Sequence, residues 1–253
     1  MQAIKFTLSG KTAFFKKPDV NVNTYFTYNN IHKIALLGLL GALTGLGGHI
    51  QQSRTIYEDA KEVDYPEFYL SLRDLKISIV PKGKNGYFAK KVQVFNNSVG
   101  YASKEKGGNL VVREQWLENP EWDIYILDDV SIDNIVFHRL KDSLLNNKCK
   151  FVPYLGKNDH PAIISNCQVV EVSKTINIEH IDSLFSINGV TVGKYSYDDI
   201  SMPFFFKEIS PLTLSKKYNF YEFEELCFTN MEIEKVLDAD SFYKHDDKIL
   251  FFY

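Results

Sequence analysis

Between Lys82 and Arg113 the chain places seven cations, Lys82, Lys84, Lys90, Lys91, Lys104, Lys106 and Arg113, against one acid, Glu105. A net charge of +6 over these 32 residues suits phosphates, which are held by ammonium and guanidinium groups. Tyr87, Phe88 and Tyr101 lie among the cations and offer flat faces on which splayed bases stack. The same lysines also suit a solvated hairpin whose charges keep its edge from pairing with other chains. Lys16 and Lys17 form a second cationic pair, in the polar, aromatic loop "GKTAFFKKPDVNVNTYFTYNN". His32 and Lys33 stand where a helix begins, and free N–H groups and the helix dipole favour phosphate there. A plain surface lysine is the other reading of Lys33, and a hydrogen-bonded structural role the other reading of His32.

Metal-independent RNA cleavage needs a base for the 2′-hydroxyl, an acid for the leaving oxygen and a cation for the phosphate. His32, His49, His138, His160 and His180 supply parts, but no spacing fixes a pairing among them. The chain is therefore expected not to be an enzyme, with no catalytic residue assigned. Cys149, Cys167 and Cys227 are too few and too scattered for a disulfide framework or a zinc site, so no metal or cofactor is expected. A reducing, cytoplasmic setting is the simplest reading. Lysines interrupt the apolar character of "MQAIKFTLSGKTAFF", which reads as no secretion signal.

These side chains need elements to carry them. Ile4, Phe6 and Leu8 alternate with polar residues, the period of a half-buried strand. "IHKIALLGLLGALTGLGGH" follows. Its charge-free run, 34–48, is shorter than the ~20 residues of a membrane span, and no Gly-Lys-Ser/Thr follows its glycines. On a helix, Ala35, Gly38, Gly41, Ala42 and Gly45 fall on one side and leucines largely on the other. This predicts a core helix closely approached on its small face, with Asn29 and Asn30 as caps and the "GLGG" run as its end. Residues 68–80 alternate as a strand with a slip at Arg73-Asp74. Residues 87–95 and 109–116 read as the arms of an inserted hairpin, and 122–129 as a further strand. Residues 131–148 read as a second helix with Ser131 as cap, and 149–174 as a last strand region broken by a turn. Residues 175–253 look strand-poor, acidic and aromatic.

The fold class expected is therefore α+β. A ferredoxin-like βαββαβ core of the kind used by RNA-recognition modules fills residues 1–174, with a basic hairpin inserted at about 82–113. A C-terminal extension, 175–253, packs on it. Residues 1–113 carry a net charge of +8 and residues 114–253 of −11, which suggests a basic face for nucleic acid and an acidic face for protein or water.

The strand "FTLSGKTAFFKKP", the aromatic loop and "HKIALLGLLGALTGL" together resemble the Cas-five family of CRISPR-associated RAMP proteins, subunits of the type I interference complex Cascade. "REQWLENPEWDIYIL" and "FVPYLGKNDHPA" fit as well, the latter resembling the type I-B form. The likeness covers roughly residues 1–174. It implies a RAMP fold with a thumb-like hairpin, and a subunit that caps the 5′ handle of the crRNA. It also implies partners: the backbone and large subunits, and target DNA through the assembled complex, with no membrane. In one subtype the family member also cuts precursor RNA with a Tyr/Lys/His arrangement. That arrangement has no residue-by-residue match here, and the family's glycine-rich loop is reduced to "LGKND". Alternatives are a precursor-cutting endoribonuclease and a ferredoxin-like interaction domain that binds no RNA.

Overall fold

The computed structural model describes residues 1–19, 23–194 and 202–253. β1 (Gln2–Ser9) and β2 (Thr12–Ala13) lead through the aromatic loop to α1 (Lys33–Thr44), α2 (His49–Tyr57) and α3 (Glu67–Leu72). Next come β3 (Ile77–Pro81), β4 (Lys90–Asn96), β5 (Val111–Glu118), β6 (Glu121–Asp128), α4 (Asn134–Leu145), β7 (Ile163–Glu171) and β8 (Ser173–Lys174). The rest holds β9 (Phe185–Ser186), β10 (Val190–Val192), β11 (Phe205–Leu214), β12 (Tyr221–Thr229), β13 (Ile233–Val236), β14 (Phe242–His245) and β15 (Lys248–Phe251).

The central sheet has the order β3-β6-β1-β7, each neighbouring pair antiparallel. Helices α1 to α3 connect β1 to β3, and α4 connects β6 to β7. Alternation decides the two faces. Ile4, Phe6 and Leu8 join Trp122, Ile124, Ile126, Ile77 and Ile79 under the leucines of α1 and the Phe137, Leu140 and Leu144 of α4. Ala3, Val80, Tyr125, Leu127 and Val170 face the other way and meet Tyr243, Leu250 and Phe252. Fully burying each Val, Leu, Ile or Phe among them stabilises the fold by roughly 1.5–3 kcal/mol.

The small face of α1 has the expected cause at one position. A Cβ on Gly41 would lie 2.6 Å from the Cβ of Phe68, so α3 packs against bare backbone there. Gly45 closes the helix at φ 83°, and its N–H reaches Gly41 O at 2.8 Å. The start of the helix differs from expectation: His32 is the cap, its Nδ1 accepting from Ala35 N at 3.2 Å. Asn29 and Asn30 instead bind other segments. Among the described residues no single helix is long and apolar enough to cross a membrane, and α1 and α2 are bent by 78°.

Four further expectations are corrected. Residues 68–72 are helical, not extended, because Phe68, Tyr69 and Leu72 are buried at helical spacing while Leu70 is exposed. Asp133, not Ser131, caps α4, accepting from Ile135 N and Val136 N at 2.9 and 3.1 Å. The inserted hairpin is β4–β5, so 82–89 precedes it as a packed turn with Phe88 buried against Trp122. The described residues of 175–253 are rich in strands, whose Phe and Tyr residues suit half-buried pleated surfaces. The extension pairs β14 with β8 and lines the outer edge of β3, where Ile77 and Tyr253 exchange N–H···O bonds of 3.2 and 3.0 Å. Leu184, Leu214 and Leu226 belong to the main core.

Candidate nucleic-acid interface

The β4–β5 hairpin is held at its base and free at its tip. β2 pairs with β5, and Tyr25 lies alongside it, donating to Arg113 O and accepting from Gln115 N, both at 2.9 Å. Toward the tip the side chains are exposed: Lys104, Lys106 and Arg113, with Val94, Val111 and Tyr101 between them. At the base, Lys90 Nζ sits 4.6 Å from the Tyr87 ring centroid and Lys91 is 3.7 Å from Glu118.

Beside the hairpin base opens a cleft of about 910 Å³. Its floor includes Ala35, Gly38 and Ala42, so part of the small face of α1 is left uncovered by α3. Its walls are aromatic: Phe14, Phe15, Tyr25, Phe151, Tyr154 and Tyr221. Lys16 stands over Tyr25 at 3.9 Å from the ring centroid, a cation–π contact at the cleft wall. Lys157 enters from the loop before β7. Its Nζ binds Glu114 at 2.9 and 3.1 Å, and Glu114 also accepts from Trp116 Nε1 at 2.8 Å. Gly156 holds that loop against the chain at φ 88°, where a Cβ would fall 1.9 Å from Phe14 O. Only glycine tolerates both the angle and the approach.

The residues singled out in the sequence divide into groups. Lys16 reaches the cleft. Lys17 and Lys90 both lie near the half-buried Glu208 of β11, Lys17 at 3.8 Å. Lys104, Lys106 and Arg113 project from the hairpin. Lys84 is exposed in the turn before it. Lys82 lies on the sheet face opposite the helices, bound to Glu121 at 2.8 Å and 4.0 Å from Asp123. His32 is buried among Phe15, Tyr28 and Tyr221, and desolvation lowers its pKa to about 3. It is a neutral cap, not a cation for phosphate. Lys33 is also buried, 5.9 Å from the Tyr253 ring, and burial lowers its pKa to about 8. Its expected place at a solvent-facing helix start is therefore corrected.

Of the other histidines, His160 is fully buried, with Nδ1 2.6 Å from Thr12 Oγ1 and its ring edge-on to Trp116. His49 is exposed at the cleft rim, and His138 is exposed on α4. Tyr154, Glu114, Lys157 and Glu208 were not singled out. The glycine of "LGKND" marks a turn, and that was the available signal for the loop that carries Lys157.

No family model matches the chain, and no curated protein matches it. Solved structures do resemble it. One described as a CRISPR RNA-guided surveillance complex matches with a TM-score of 0.49 at 10% identity, over 92% of this chain and 91% of that one. A CRISPR protein from Archaeoglobus fulgidus gives 0.45 at 11%, over 99% and 98%. A Cas protein gives 0.42 at 10%, over 92% and 95%.

Proposed function

We propose that this chain is a non-catalytic crRNA-binding subunit of a type I-B Cascade. In this reading it caps the 5′ handle of the crRNA and links the large subunit to the backbone subunits, acting on target DNA only through the assembled complex in the cytoplasm. The central sheet with its two helical crossovers is then a ferredoxin-like RAMP core, and β4–β5 is the thumb. The observation that carries the reading is the cleft: aromatic walls, a floor of small residues and a lysine on a tyrosine, set beside a hairpin that projects cations. Bases stacked on such walls gain about 1–3 kcal/mol each, while the hairpin ammonium and guanidinium groups neutralise phosphates. The motifs that resemble the Cas-five family support it independently.

The test is binding of labelled repeat-derived RNA by the purified chain as salt rises. Affinity should fall steeply with salt, and Tyr25→Ala should weaken binding without changing that slope. Salt-independent binding, or none, would remove the reading.

A second reading, a metal-independent endoribonuclease, draws on His49, Lys16 and Tyr25, which share the cleft. Precursor RNA incubated in EDTA separates the two. Cleavage at one site that is lost in His49→Ala would overturn the non-catalytic assignment.

A further inference from the structure

One largely covered carboxylate is held by groups that other parts of the molecule aim at it. Glu208 projects from β11 toward the turn before α1. Asn29 N donates to its two oxygens at 2.9 and 3.1 Å, and Asn30 N donates to Oε2 at 3.3 Å. Lys17 Nζ is 3.8 Å from Oε1, and Lys90 adds a second favourable positive charge.

Contacts that do not involve Glu208 set the direction of those N–H groups. Asn29 Nδ2 donates to Gly86 O at 2.7 Å, and Asn29 Oδ1 accepts from Phe88 N at 3.2 Å. Asn30 Oδ1 accepts from Trp122 Nε1 at 2.9 Å. Two successive backbone donors are thus fixed by the turn before the hairpin and the central sheet, with two ammonium groups nearby. Such a set of donors fits a tetrahedral oxyanion. The carboxylate is a poor tenant: burial raises its pKa in spite of these partners.

We propose that the Asn29–Asn30 turn, with Lys17 and Lys90, is an oxyanion site of the phosphate class that the chain fills with its own Glu208 carboxylate, and that a phosphodiester competes with that carboxylate for it. The site itself stands on the Asn29, Asn30 and Lys17 geometry. Only the competition rests on the RNA-binding reading. Glu208 then serves as an internal guard that keeps two lysines from binding anions indiscriminately.

The experiment is thermal unfolding of the full chain, as wild type, Glu208→Ala and Glu208→Gln, titrated with inorganic phosphate and, in parallel, with chloride at matched ionic strength. Wild type should respond alike to both. Glu208→Ala should gain roughly 5–10 °C at a hundredfold excess of phosphate over its dissociation constant, saturably and beyond chloride. Adding Lys17→Ala should weaken that gain. Equal responses of Glu208→Ala to phosphate and chloride would overturn the site. If Glu208→Ala does not fold, Glu208→Gln decides by the same criterion. In a second arm, Glu208→Gln should bind repeat RNA a few-fold more tightly than wild type, with a salt slope steeper by about 0.7. Unchanged RNA binding beside a positive phosphate arm would overturn the competition and keep the site. RNA binding absent from wild type would strike the proposed function while the phosphate arm still decides the site.

Discussion

Two long antiparallel hairpins, β4–β5 and β11–β12, do opposite things with their charges. The first leaves Val92, Val94 and Val111 exposed. Its Lys104, Lys106 and Arg113 face solvent and form no ion pair among the described residues. The second sends Leu214 and Leu226 into the main core. Its acids are already engaged: Glu208 by the Asn29–Asn30 turn, Glu222 by Thr213, Glu224 by Ser186 and Glu225 by Lys207. The composition of the two halves suggests a basic face and an acidic face. Of these two hairpins, the basic one holds more of its charge in reserve among the described residues. A charge run marks a binding surface when its partners are missing, not by its sign.

The largest test of this contrast is a pair of truncations. Leu226→Ala should cost about 2–5 kcal/mol in chemical denaturation, because it opens a cavity in the core. Val94→Ala on the other hairpin should stay within about 0.5 kcal/mol. Similar losses at both positions would erase the distinction.

Next is the joint between α1 and the second hairpin, where His32 packs edge-on to Tyr221 of β12. Its pKa in the folded chain, about 3, lies below its ordinary 6.5. The unfolded chain therefore takes the proton first as pH falls. Stability drops by about 1.4 kcal/mol per pH unit from 6.5 down toward 3. His32→Asn retains a capping oxygen and should remove that component. Denaturation curves at pH 7 and pH 5 for both proteins check it, and parallel losses would refute the assignment.

A smaller effect, on binding alone, should follow from Lys104→Glu, Lys106→Glu and Arg113→Glu combined. RNA affinity is expected to fall at least tenfold and the salt slope to drop by about 2, with an unchanged melting temperature. The smallest expected effect is at Lys82, already paired with Glu121 on the opposite sheet face. Lys82→Ala should alter RNA affinity less than twofold, and a larger change would move the interface to that face.

The central elements were legible because their apolar residues recur at short, local spacings. Ile4, Phe6 and Leu8 alternate, and the α1 leucines gather on a stripe, so period alone reveals them. The α3 segment misled because Phe68, Leu70 and Leu72 also alternate, and six residues are too few for a helical period to emerge. The extension misled because acids between aromatics look like surface until each finds its partner across a strand. Lys33 illustrates the limit. It is flanked by His32 and Ile34 near a loop, and Tyr253, remote in sequence, lies over it. Lys157 and Glu114 likewise become a site only when two distant segments meet. What pattern cannot convey is the identity of the neighbour.

The Asn29–Asn30 turn has one more consequence, for the order in which the molecule assembles. Its bonds to Gly86, Trp122 and Glu208 span 57, 92 and 179 residues. Closing loops of such different lengths around one dipeptide carries a large entropic cost before any contact rewards it, and contacts so distant in sequence slow folding. The turn is therefore a late closure. During refolding, the amides of residues 29 and 30 are expected to gain their full protection from hydrogen exchange only once Glu208 of β11 has docked, and pulsed exchange would check it.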